Sequence, residues 1–91
     1  MTNEWKFDDF AHIGLPKGAA DAYNSAFEHK GGTKFLPILY IGEQQVEDGT
    51  NYMMICHTES ILPNSLERVV NIIINADSTG KGKLIHTDII I

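Results

Sequence analysis

Cysteine is nearly absent from this chain of 91 residues: Cys56 stands alone. No internal disulfide can form, which suits a reducing compartment or a secreted domain that manages without staples. Basic residues are also scarce, 7 Lys and Arg against 12 Asp and Glu, for a net charge of −5. They form no cluster, so the electrostatic footprint of a nucleic-acid binder is missing. The same deficit argues against an anionic membrane surface. No apolar run approaches the roughly 20 residues of a membrane span. Residues 1–10 are acidic and interrupted, unlike a signal peptide. The expected localisation is therefore cytoplasmic, unless a leader has already been removed.

What remains is ordinary globular material. Apolar residues make up 43% and charged residues 21%, the proportions of a folded domain. The length predicts a single domain, 1–91. Such a chain buries roughly 60–65% of its unfolded surface, so its core is modest.

Residues 5–13 alternate loosely and read as a short strand or an extended arm, broken by Gly14-Leu15-Pro16. From Pro16, apolar residues recur at helical steps: Ala19, Ala22, Tyr23, Ala26 and Phe27. Pro16 suits a first turn, because its missing N–H would be unpaired there. His29 and Lys30 suit a last turn, and Gly31-Gly32 a stop. Four strand patterns follow. Residues 33–44 hold Pro37, which predicts an edge position or a bulge. In 51–58, Tyr52, Met54 and Cys56 alternate with Met53, Ile55 and His57. Residues 61–64 read as a turn. In 66–76, Val70, Ile72, Ile74 and Ala76 share one face. Residues 77–82 are a polar loop. The last strand, 83–91, puts Ile85, Thr87, Ile89 and Ile91 on one side. Short turns predict an antiparallel meander. The expected class is α+β, one helix packed on a four- to five-stranded antiparallel sheet.

Between the first two long strands lies Gln45-Val46-Glu47-Asp48-Gly49-Thr50-Asn51-Tyr52, a hairpin with a polar tip. Asp48-Gly49 is a common hairpin dipeptide. One helix followed by an antiparallel sheet resembles the cystatin layout. The hairpin is similar to the family's Gln-x-Val-x-Gly, which commonly continues Thr-Asn-Tyr. Gln45, Gly49, Thr50, Asn51 and Tyr52 match at the same spacing. The likeness is nearer the stefin branch, given no leader and no disulfide. It covers residues 16–91 in layout and 45–52 at the level of residues.

The resemblance implies a reversible inhibitor of papain-type cysteine proteases. Gln45, Val46, Glu47, Asp48 and Gly49 would enter the active-site cleft, flanked by an N-terminal arm and the 77–82 hairpin. A pre-formed loop loses little entropy on binding. The chain departs from the family at three places. Glu47 stands where the central valine belongs, and burying it unpaired costs several kcal/mol. The N-terminal arm lacks a matching glycine. The 77–82 loop lacks an apolar tip. The alternative reading is a non-inhibitory cystatin-like interaction or dimerisation module.

Other candidates are weaker. Cys56 and His57 are sequence neighbours, so on a strand they face opposite ways and form no dyad. Cys56 reads as a core residue. His12, His29, His57 and His86 show no metal-ligand spacing. Gly80-Lys81-Gly82-Lys83 lacks the spacing and following helix of a phosphate loop. No metal, cofactor or enzymatic activity is expected. An enzyme would require a deep pocket lined by His57, His86 or Asp88. Runs of isoleucine at 72–74 and 89–91 place apolar side chains on both sheet faces, and one helix covers only one. Ile73 and Ile90 are therefore expected either to lie under the Trp5/Phe7/Phe10 segment or to mediate a homodimer.

Overall fold

The computed structural model describes residues 4–10, 14–28, 33–60 and 67–91. The chain forms β1 (Trp5–Phe7), α1 (Lys17–Phe27), β2 (Thr33–Val46), β3 (Gly49–Ser60), β4 (Arg68–Asp77) and β5 (Gly82–Ile89). The five strands make one antiparallel sheet in the order β1-β2-β3-β4-β5, with α1 on one face. The α+β layout with one helix on an antiparallel sheet is therefore observed.

Alternation decides which residues meet the helix. Met54 and Cys56 on β3 pair with Ile72 and Val70 on β4, and all four point inward. Met54, Ile72, Ile74 and Cys56 are the largest fully buried side chains. Their neighbours Met53, Ile55, Asn71 and Ile73 occupy the opposite, open face and are half-buried. Burial has raised the Cys56 thiol to about 12, so at neutral pH it is a protonated core group and not a nucleophile.

The helix sits close because both surfaces are small. Ala19, Ala22 and Ala26 face the sheet, buried. A β-carbon at Gly82 would fall 2.0 Å from the Ala22 carbonyl oxygen. Beside that contact, the Gly82 amide donates to Ser25 Oγ at 3.0 Å. The same half of α1 also makes an aromatic contact, with β2. Phe27 stacks on Phe35 of β2 at 5.0 Å, Tyr23 leans on Phe27 at 5.0 Å, and the Tyr23 hydroxyl donates to the Phe35 carbonyl.

Several expectations shift. The helix is shorter than 16–30: Pro16 is its N-cap, and Glu28 already has extended ψ of 131°. Turning there keeps Phe27 over Phe35. The proposed last turn and stop at 29–32, the 61–64 turn, Leu66 and residues 11–13 lie outside the described residues. Pro37 does mark a register shift, on the part of β2 that β1 leaves uncovered, and a second shift falls at Ile41. A bulge at Ile85 changes β5: Leu84 pairs with Ile74 and packs on the core, whereas Ile85 is 49% exposed. Trp5–Phe7 extends the sheet beside β2 and does not lie over the open face.

Two substitutions test this packing. Ile72→Ala removes a fully buried side chain and should cost about 2–5 kcal/mol in urea unfolding. Gly82→Ala pushes a methyl into the Ala22 carbonyl and should cost about 1–3 kcal/mol despite its minimal size.

Candidate binding edge at one end of the sheet

The hairpin of interest closes with two residues. Val46 pairs with Gly49, so Glu47 and Asp48 form the turn. Among the described residues other than glycine, Phe10 has a positive φ, and Glu47 and Asp48 do not. The turn is therefore centred one residue earlier than an Asp48-Gly49 turn would be. Gly49 instead begins β3, where β4 comes close: a β-carbon on Gly49 would lie 1.9 Å from the Ala76 carbonyl oxygen. Any side chain there would separate the turn from β4.

That close approach supports the turn from behind. β4 accompanies β3 as far as Gly49, which pairs with Asp77. On the open face a row of amides crosses the base of the hairpin. Asn75 Nδ2 donates to Asn51 Oδ1 at 2.9 Å, and Asn51 Nδ2 donates to Gln44 Oε1 at 3.0 Å. On the helix face Thr50 Oγ1 donates to Gln45 Oε1 at 3.2 Å. Such cross-strand pairs are what stiffen a sheet. The protruding part is short, Glu47 and Asp48, both exposed, while Val46 is half-buried and Gln45 is exposed.

Two other segments reach the same end. Trp5 pairs with Gln44, and β1 runs antiparallel to β2, so Trp5 is the end of β1 nearer the 47–48 turn. The β4–β5 turn, 78–81, adjoins it because Asp77 stands opposite Gly49. This second turn is internally ordered. Asp77 Oδ1 accepts from the Thr79 hydroxyl at 2.5 Å and from the amides of Thr79 and Lys81 at 2.9 and 3.1 Å. Those bonds, the Thr79 hydroxyl first, hold the Asp77 carboxyl below its ordinary 3.8. The end is acidic: Glu47, Asp48 and Asp77 face Lys81 alone among the exposed turn residues.

The remaining candidates are dispersed. His57 pairs with Glu67 at 3.2 Å and His86 with Asp88 at 2.7 Å. β4 lies between the two histidines, so they do not meet. Ile73 and Ile90 share the open face but are four positions apart along neighbouring strands, about 13 Å at the usual rise. An open groove of about 400 Å³ lies between the β1 segment and the start of α1, lined by Lys6, Phe7, Asp8, Asp9, Pro16, Tyr40 and Glu43. Burial, and next Glu43, raises the Tyr40 phenol, so it stays a neutral hydroxyl at pH 7. Neither histidine pair lines that groove. Among the described residues no group of three or more His, Cys, Asp or Glu is placed to hold a metal, and no helix is long and apolar enough to cross a membrane.

The amide row was not anticipated from sequence. Its only signal is that Gln44, Asn51 and Asn75 fall on one face once the register is known. Asn51→Ala removes both bonds and should cost about 1–2 kcal/mol. It should also raise amide exchange at the 47–48 turn. The Asp77 contribution has a definite sign. Its carboxylate is stabilised by the fold, so the turn is fully braced above pH 3.8 and loses its brace as pH falls through the lower native value. A carbon-detected NMR titration should place the Asp77 midpoint below 3.8, with the Thr79 and Lys81 amide shifts following it. No protein-family model, curated protein or solved structure matches this chain, so what this edge does is read from its own residues.

Proposed function

We propose that the chain is a cystatin-like binding protein, a reversible inhibitor that lays the 45–49 hairpin into the active-site cleft of a papain-type cysteine protease. One observation carries this reading. The 47–48 turn, the 78–81 turn and the start of β1 occupy one end of the sheet, and the first turn is backed by β4 up to Gly49. Three adjacent segments on a stiff sheet form an edge suited to a groove. The turn is pre-organised, so binding orders little additional chain. The Val46–Gly49 pairing holds both ends of the hairpin, so it presents no free, extended peptide to cleave.

The exposed Glu47 and Asp48, next to Asp77, set the preference of the edge. A cleft with a basic rim accommodates them, whereas an apolar cleft must desolvate Glu47. The second reading is a binding module of the same scaffold that inhibits no protease. The polar character of both turns favours it, because neither offers an apolar anchor for an enzyme cleft.

Titration of papain activity separates the two. Reversible, competitive inhibition at micromolar protein is expected, and Glu47→Val should tighten it by about tenfold or more by removing the charge. If neither the natural chain nor Glu47→Val inhibits, the inhibitor reading fails and the second reading stands.

A further inference from the structure

Among the described residues β5 ends the sheet, with β4 on one side and no strand on the other. The Ile90 amide donates to the Val69 carbonyl at 2.8 Å, across β4. Successive strand residues aim their backbone groups to alternate sides. Counting back from Ile90, Asp88 and His86 turn toward β4, while Thr87 and Ile89 aim N–H and C=O outward. The side chains along this edge are open too: Ile85, Ile89, Ile90 and Ile91 are 49%, 65%, 50% and 75% exposed. An unguarded apolar edge is a template for another strand.

The order of residues along the edge identifies that strand. Residues 85–89 read Ile-His-Thr-Asp-Ile. Laid antiparallel on itself about Thr87, this segment is self-complementary. Thr87 meets Thr87 on the two-fold axis, and the matches of His86 with Asp88 and of Ile85 with Ile89 each occur twice about it. Centring the pairing one residue either way sets Asp88 against Asp88, where like charges directly opposite are destabilising, or His86 against His86, which leaves each carboxylate without an imidazole opposite it. We infer that β5 pairs antiparallel with β5 of a second copy, centred on Thr87, fusing the two sheets edge to edge.

His86 Nε2 and Asp88 Oδ2 already lie 2.7 Å apart. In the pair they adjoin the same two groups of the other copy, so that on the open face each imidazole stands opposite a carboxylate. The bulge at Ile85 ends regular pairing on that side, so the contact is short. Its dissociation constant is expected at about 10–100 µM, as for small interfaces. Of the two isoleucines expected to mediate self-association, Ile90 adjoins this edge and Ile73 lies one strand inside it. Antiparallel pairing also sends the two 47–48 turns to opposite ends of the joined sheet, leaving both accessible. The pairing stands or falls independently of the protease reading.

Sedimentation equilibrium of the natural chain from ~5 µM to ~1 mM should show a monomer–dimer equilibrium. His86→Asp and Asp88→His, both at exposed positions, should each weaken it by about tenfold or more, with unchanged circular dichroism. An equimolar mixture of these two variants should regain the natural affinity, because every Asp then meets a His. The double variant H86D/D88H should regain it as well. The inference is overturned by a monomer at ~1 mM, by single variants that associate as the natural chain does, or by a mixture no tighter than its components. Association lost in Ile73→Asp but indifferent to His86→Asp would move the contact to the open face, and would overturn it equally.

Discussion

The fit of the Ala22 carbonyl against Gly82 fixes how this molecule is assembled. A 91-residue chain has little core to distribute, and here one helix of 11 residues covers the buried face. It can do so only by lying close. Alanines on the helix and a glycine at the start of β5 bring the two backbones nearly into contact. With the helix seated there, Phe27 reaches Phe35 on the far side of the sheet. Met54, Ile72 and Ile74 fill the space between these two anchors. A larger residue at either small position would lift the helix and open that space, and cavities and overpacking are both costly at native packing density.

The same seat shapes the candidate edge. Gly82 follows the 78–81 turn directly. Fixing Gly82 against α1 therefore fixes one side of the turn, and Asp77 fixes the other by accepting bonds from Thr79 and Lys81. The neighbouring 47–48 turn is held by a different device, the close approach of β4 at Gly49 and the amide row through Asn51. Two turns are thus stiff for separate reasons, and a stiff edge is what a groove-filling binder needs. The molecule's longest extent, 45 Å, is about the length of the 14-residue β2 at the usual strand rise. The turns therefore stand at an extremity of the molecule.

Much of this frame was legible in the residues. Strict alternation at Val70-Asn71-Ile72-Ile73-Ile74 assigns faces without ambiguity, because a strand has period two. The alanine spacing at 19, 22 and 26 predicts a helix that lies low. What was not legible depends on contacts distant in sequence. Gly82 reads as part of a loose polar loop until Ala22 is placed over it. The Ile85 bulge exchanges Leu84 for Ile85 in the core, and no local signal marks it, since either residue is apolar enough for the inside. The composition predicts a longer helix for the same reason: Glu28 is as helical in kind as the residues before it, but the chain turns there, at ψ 131°, beside the Phe27–Phe35 stack. At the candidate edge the hairpin was visible and its tip residues are exposed. The role of Gly49 was not visible, because the residue it accommodates, Ala76, lies 27 positions away.

The two edges of the sheet are treated differently, and this difference argues for where a partner strand is accepted. On the β2 side Pro37 removes a donor, two register shifts break the ladder, and β1 covers residues 42–44. Each is a known way to blunt an edge. On the β5 side there is one bulge, at Ile85, and beyond it an unbroken run from His86 to Ile89. Neither proline nor a block of like charge guards that run. Its imidazole and its carboxylate stand at a spacing of two, so a registered copy sets each opposite its complement and a misregistered one sets carboxylate against carboxylate or imidazole against imidazole. Selection by register is the physical content of specificity at a strand edge. A short run achieves it only when charge and apolar positions agree, as they do about Thr87.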